Sequence, residues 1–269
     1  MISRPSTTLA GRRALVTGAG VRVGRAIALA CAEAGADVAV HYRSSRVEAE
    51  ETARLVRTAG RRAPLVQGDQ AITDGPERIV AEAAQALGGL DLLVLSASAF
   101  ERVPAAALDR ARFEAMLSSN LTGPFLLARA ALPHLVASLS QETSAEIVTS
   151  EKEATIRSAA IVTVLDLCGT SQVWPGYAHY AAAKAGLAAL TRLLALEWAP
   201  QVRVNGVAPG FVLAPAGTAE AEHARLVKRI PLGREGSAED VAGAVVYLAS
   251  APFVSGQILA VDGGRSVSP

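Results

Sequence analysis

Tyr180 and Lys184 stand four residues apart at the start of an alanine-rich, strongly helical segment. On a helix that spacing puts both side chains on one face, one turn apart. A tyrosine hydroxyl with its ordinary pKa of about 10 is a poor proton carrier at neutral pH, and a neighbouring ammonium brings it toward the working range by stabilising the phenolate. A lone pair of this kind is common on protein surfaces. This one follows a phosphate-type loop and a fifth strand-like run, and so reads as chemistry.

The phosphate-type loop is Thr17-Gly18-Ala19-Gly20-Val21-Arg22-Val23-Gly24-Arg25, after a first apolar run and opening a helix that extends to about Ala34. Glycines there let backbone N–H groups approach a pyrophosphate, whose charge the helix N-terminus favours. About 20 residues on, folds that bind NAD place a carboxylate for the ribose 2′-hydroxyl. This chain instead reads His41-Tyr42-Arg43-Ser44-Ser45-Arg46. Arg43 and Ser44, with Arg22 reaching across from the glycine loop, match a 2′-phosphate in charge and geometry, so NADPH is expected over NADH. Asp69 either accepts from the adenine amino group or caps the turn that follows it.

These residues need elements to hold them. Arg13 to Thr17, Asp37 to Tyr42, Ala63 to Gln67, Leu90 to Leu95, Ala160 to Leu165, Val202 to Ala208 and Ile258 to Val261 read as strands separated by helical patterns. Strands that are continuously apolar and alternate with helices predict an α/β fold, a doubly wound parallel sheet of about seven strands covered on both faces. The whole chain, 1–269, reads as one dinucleotide-binding domain. The Ser-, Thr- and Glu-rich stretch Ser138 to Ser158 reads as a surface insertion, and residues 209–230 as a flap over a ligand.

Composition narrows the classes further. With 51% hydrophobic and 19% charged residues the chain is globular, and a net charge of +1 supplies no broad field for nucleic acid or anionic lipid. Two cysteines, Cys31 and Cys168, and four scattered histidines lack metal-ligand spacing, so no metal is expected. The polar N-terminal segment has no apolar core of a signal peptide, and no apolar stretch approaches a membrane span; a cytoplasmic enzyme is expected.

From Gly11 to Gly264 the chain resembles the short-chain dehydrogenase/reductase family. It does so in Thr17-Gly18 and Gly24, Asp69, Asn120, Tyr180 with Lys184, Arg203-Val204-Asn205 with Pro209-Gly210, and Val261-Asp262-Gly263-Gly264. The resemblance implies cofactor contacts at Gly18, Arg22, Val23, His41, Tyr42, Arg43, Ser44, Asp69, Gln70, Ser96, Ala97, Ser98, Pro209 and Gly210, besides Tyr180 and Lys184. Lys184 would hold the nicotinamide ribose, and the nicotinamide cation would further favour the phenolate of Tyr180. It also implies that Asn120 holds a structural water in a proton relay from Tyr180 and Lys184, and that the protein is a homotetramer.

Three departures from the family pattern point together. The middle glycine of the loop is Arg22; the segment after the fourth strand reads Ser96-Ala97-Ser98-Ala99-Phe100; and Asp166 stands where the family has its catalytic serine. A carboxylate has no donor for a substrate carbonyl and repels a forming oxyanion, whereas it can grip the N–H groups of a nitrogen-rich ring. The departures resemble the pteridine and dihydromonapterin reductases. By that resemblance Ser98 meets the cofactor or a pterin, and Phe100, Asp166 and Tyr180 meet a pterin or folate, with Asp166 and Tyr180 supplying protons; Phe211 and Leu213 of the apolar flap are expected to meet the substrate as well. Phe100 either stacks on the ring or is an ordinary core residue. The alternatives are a carbonyl reductase of the 3-oxoacyl thioester type and a non-catalytic NADPH-binding regulator.

Overall fold

The computed structural model describes residues 8–146, 158–214 and 219–268, with 140–146 by backbone alone. Seven strands form one sheet: β1 (Arg13–Val16), β2 (Asp37–Tyr42), β3 (Leu65–Gln67), β4 (Leu92–Leu95), β5 (Ala159–Val164), β6 (Val202–Pro209) and β7 (Ile258–Val261). Their order is β3-β2-β1-β4-β5-β6-β7, and every pairing is parallel. The helices between them are α1 (Arg22–Glu33), α2 (Arg46–Thr58), α3 (Gly75–Leu87), α4 (Arg110–Leu117), α5 (Gly123–Glu146), α6 (Ala178–Glu197), α7 (Glu220–Val227) and α8 (Ala238–Ser250). This is the doubly wound α/β sheet that the alternating runs predict.

Alternation along each strand explains the two layers. Ala14 and Val16 of β1 with Val38 and Val40 of β2 pack under α1 and α8, through Ile27, Cys31, Val241 and Val245. Their neighbours Leu15, Ala39, Leu93 and Ile161 face the other way, against Ile79 of α3 and Leu127 and Leu135 of α5. Each of these larger aliphatic side chains, buried in full, stabilises the fold by about 2 kcal/mol. A strand covered on both faces has no polar side, which is why the runs are apolar throughout.

Arg203 shows what the family-like Arg-Val-Asn run does. Its guanidinium donates to the carbonyls of Leu248 and Ala249 at the end of α8, to the Val254 carbonyl and to Ser158 Oγ, at 2.6–3.3 Å. A cation at a helix C-terminus satisfies carbonyls that the helix leaves unpaired. Asn205 Nδ2 donates to the same Val254 carbonyl and its Oδ1 accepts from Gln257 N–H. The motif therefore ties α8 and the approach to β7 onto β6.

The stretch 138–158 departs from its sequence reading. Instead of ending before it, α5 runs on to Glu146, and Ser138 is buried with its hydroxyl donating to the Leu135 carbonyl. The hydroxyl is satisfied inside the helix, so its polarity does not stop helix propagation. Residues 147–157 lie outside the described residues. So do 215–218 of the flap; the part before them is pinned, because Gly236 N–H donates to the Phe211 carbonyl and Glu235 accepts from Ala214 N–H. Among the described residues no helix is long and apolar enough to cross a membrane.

Candidate active site

Right-handed crossovers carry the chain one way from β1 and the other way from β4, so a crevice opens at the C-terminal ends of these two strands. A cleft of about 970 Å³ occupies it. Every cofactor or substrate position expected from the sequence lines this cleft, with Asn120 set behind its wall next to Ser119.

One end of the cleft is the glycine loop. Gly18 has φ +66°, and a Cβ at Gly24 would lie 2.1 Å from the Gly18 carbonyl oxygen, so the loop folds onto itself only with hydrogen in that place. The first turn of α1 has no side-chain cap and no acidic residue, which leaves its N–H groups open toward the cleft. Thr17 Oγ1 accepts from the N–H groups of Ser96 and Ala97 and ties the second wall to the first. A close-packed loop, an uncapped helix end and a long cleft suit the pyrophosphate of a dinucleotide.

Several residues expected to contact the cofactor also hold the cleft walls in place. His41 is buried; its Nδ1 accepts from Gly18 N–H at 3.2 Å and its Nε2 bonds the Gly68 carbonyl at 3.2 Å. Burial pushes its pKa down to about 4, so it is neutral and holds the glycine turn. Asp69 Oδ1 accepts from Ala71 N–H at 2.9 Å, the turn cap that its sequence position allows, while its Oδ2 lies 3.8 Å from Arg43. Gln70 is buried and donates to the carbonyls of Ser119 and Ala97. Arg43, Ser44 and Tyr42 edge the cleft where β2 ends, the Arg43 side chain being 67% exposed. Arg22, at φ +51°, donates from Nη2 to the Leu213 carbonyl at 2.7 Å and clasps the glycine loop to the start of the flap.

At the other end lies the proton-transfer group. Tyr180 and Lys184 share one buried face of the first turns of α6. Tyr180 Oη donates to Asp166 Oδ2 at 2.8 Å, and Asp166 Oδ1 accepts from Cys168 N–H at 2.8 Å. Lys184 Nζ donates to the Val164 carbonyl at 2.8 Å and sits 5.7 Å from the centre of the Tyr180 ring. Burial raises the Asp166 pKa. Burial, then the charge of Asp166, raises that of Tyr180 well above its usual value, against a smaller opposing effect of the Ser98 hydroxyl.

Lys184 is itself desolvated, with its pKa lowered to about 8, and Asp166, hydrogen-bonded to the phenol, is the charge that acts on Tyr180 here. These effects favour the neutral phenol over the phenolate.

Asn120 lies in a wide π turn (Ser118–Thr122) between α4 and α5. Its Nδ2 donates to the Ala99 carbonyl and to Met116 Sδ; its Oδ1 accepts from Ala99 N–H and Ser98 Oγ. Both ends of the amide are engaged by the Ser98-Ala99 segment and Met116, so Asn120 shapes the wall carrying Ser98 and Phe100. Phe100 is 49% exposed, stacked on Tyr177 at 4.8 Å and edge-on to Tyr180 at 4.9 Å, and is not a core residue behind β4.

Sequence reasoning missed Tyr177, Trp174, Arg102, Arg229 and Arg265, all of which line the cleft. The aromatic run Trp174-Pro175-Gly176-Tyr177 just before Tyr180 was a usable signal. Arg265, distant from both motifs in the chain, carried none. Phe211 meets His223 at 5.4 Å on the flap side.

Comparison with known proteins agrees with this geometry. A family model described as enoyl-(acyl carrier protein) reductase matches residues 18–266. Cis-4-hydroxycyclohexanecarboxylate dehydrogenase of Sinomonas cyclohexanicum is 38% identical over 95% of this chain and 96% of its own. For 3β-hydroxysteroid dehydrogenase 1 of Eggerthella lenta the identity is 33%, over 97% of this chain and 96% of the relative. The structure of gluconate 5-dehydrogenase of Burkholderia cenocepacia, in complex with NADP and tartrate, superposes with a TM-score of 0.85 at 30% identity, covering 98% of this chain and 99% of that one. With likeness of sequence and fold running through the glycine loop, the sheet and the Tyr180–Lys184 helix, the chain belongs to the short-chain dehydrogenase/reductase family and is an NAD(P)-dependent oxidoreductase.

Proposed function

We propose that this protein is an NADPH-preferring reductase of a C=N bond in a pterin or dihydrofolate-type ring. The observation that carries the reading is the 2.8 Å hydrogen bond from Tyr180 Oη to Asp166 Oδ2 at the position of the family's serine. NADPH, when bound, supplies the hydride. The glycine loop, Arg43, Ser44 and the Lys184 ammonium would hold it, with His41, Thr17 and Gln70 keeping those walls in place.

The residues of the chain then account for the proton. A phenol held neutral is an acid, so Tyr180 suits a reaction that ends by protonating a substrate atom. Burial makes the protonated form of Asp166 accessible, and a proton on that carboxyl replaces the one Tyr180 gives to the ring nitrogen. When ionised, Asp166 accepts from amino and ring N–H groups, which a ketone lacks. Phe100 and Tyr177 offer flat faces at the height of the tyrosine. An NADPH preference rests on the absence of a carboxylate after β2 and on Arg43 beside the cleft. A homotetramer and a cytoplasmic location complete the proposal.

The relatives named for hydroxysteroid and hydroxycyclohexanecarboxylate oxidation favour a second reading, a carbonyl or alcohol oxidoreductase in which Tyr180 alone activates the oxygen. NADPH consumption followed by its near-ultraviolet absorbance separates the two, with dihydrobiopterin, dihydrofolate and an acetoacetyl thioester as substrates and NADH as a parallel donor. Turnover of the pterins with NADPH is the expected result. Turnover of the thioester alone overturns the C=N reading.

A further inference from the structure

Beyond Asp166 and Tyr180 the cleft carries charge that proton transfer does not use. Arg102, Arg225, Arg229 and Arg265 line that end, against one carboxylate on the same wall, Glu222. Three of the arginines are exposed at the rim; Arg265, in the short turn after β7, is 6% exposed.

Arg265 sits on a built perch. Its guanidinium carbon lies 5.4 Å from the centre of the Trp174 ring. Gln172 joins the two residues, donating from Nε2 to the Arg265 carbonyl at 3.0 Å and accepting at Oε1 from Trp174 Nε1 at 3.3 Å. Yet Arg265 Nε is buried without a hydrogen-bond partner, and among the described residues the guanidinium enters no ion pair.

The carboxylates that act on it electrostatically are already committed. Asp262 accepts from the N–H groups of Gly264 and Ser266, and Asp166 from Tyr180 Oη and Cys168 N–H. Arg229 adds repulsion rather than relief. A guanidinium whose Nε is buried without a partner has unmet hydrogen-bonding capacity, and its planar fork matches the oxygens of a carboxylate or a phosphate.

We propose that Arg265, with Arg229 beside it, is an anion-binding subsite that holds a carboxylate or phosphate on the tail of the substrate whose ring lies at Asp166 and Tyr180. This deepens the C=N reductase reading and rests on it for the identity of the ring, whereas the anion site has a test of its own. The substrate class narrows to rings with a negatively charged tail.

Two measurements on the full chain test it. In the first, kcat/KM with NADPH is compared for dihydrobiopterin, whose tail is uncharged, dihydrofolate, whose tail carries carboxylates, and dihydroneopterin phosphate. At least one anionic substrate should exceed the neutral one by about tenfold or more, as expected for charge-assisted hydrogen bonds. Which one does so tells carboxylate from phosphate, and Arg265→Gln and Arg229→Gln should shrink the ratio toward one. In the second, inorganic phosphate and glutarate are titrated into a Trp198→Phe protein, where Trp174 is the remaining tryptophan. A saturable fluorescence change is expected, lost in Arg265→Gln and retained in Arg265→Lys.

If Arg265→Gln fails to fold, Arg265→Lys and the exposed Arg229→Gln carry the comparison. An Arg265-dependent fluorescence response without turnover of any pterin leaves the anion site standing and removes the pterin reading. Pterin turnover indifferent to tail charge, with Trp174 unresponsive to both anions, overturns the anion site and leaves the reductase reading intact.

Discussion

At Asp166 the proposed chemistry turns on whether the side chain donates or accepts a hydrogen bond. A serine would donate to a carbonyl oxygen; the carboxylate accepts from Tyr180 and raises its pKa, so the pair holds a proton rather than lacking one. Asp166→Ser should therefore depress kcat for pterin reduction by about 10²- to 10⁴-fold while leaving the NADPH dissociation constant nearly unchanged. Loss of cofactor binding in that variant would instead make Asp166 a scaffold residue. The rate of the unaltered enzyme should fall as pH rises and the pair loses its proton, a limb that Asp166→Ser removes. His41 makes a second prediction, about stability. Burial lowers its pKa from 6.5 to about 4, so between these values the unfolded chain binds a proton that the folded one refuses. Stability should drop as pH falls from 6.5 toward 4, by roughly 3 kcal/mol at the acid end. In denaturant titrations across that range, His41→Asn, which keeps an acceptor for Gly18 N–H, should flatten the acid slope.

At the scale of elements, the site is an arrangement of helix starts and strand ends. The chain reaches the first turn of α1, the proposed pyrophosphate site, through a loop folded against its own carbonyl. At Gly24 an added Cβ would meet the Gly18 oxygen at 2.1 Å. Gly24→Ala should raise the NADPH dissociation constant by about tenfold or more, read by quenching of protein fluorescence, because the loop must open to admit the methyl group. Unaltered binding would show that the close approach is not needed. The Tyr180 and Lys184 placement was legible from spacing alone, since four residues on a helix return to the same face. The bonds that Arg22 and Asn120 make were not, because Leu213 and Ala99 come to them from distant loops.

The whole molecule leaves apolar surface uncovered. Leu193 and Leu196 project from α6 at 46% and 79% exposure, and β7, the edge strand, exposes Leu259. On the proposed homotetramer this surface would lie between copies. Light scattering on the eluting protein should give a tetramer, and Leu196→Glu should lower the assembly state without altering the secondary-structure signal of the chain. A monomer at micromolar concentration would remove the homotetramer from the proposal.

What the sequence determined by itself follows from local rules. Strand positions followed from apolar runs, helix faces from spacing, and the dinucleotide loop from glycines between a strand and a helix; β2 and β7 lie where those runs place them. Such features depend on residues near one another in the chain, and periodicity reports them. The tertiary structure alone decided the electrostatics: that Asp166, not Lys184, is the nearer partner of the Tyr180 hydroxyl, that His41 is buried and neutral, and that Arg265 reaches the far end of the cleft 85 residues after Tyr180. A pKa or an unpaired guanidinium depends on desolvation and on which charges the fold brings within a few ångströms, and spacing along the chain does not encode either.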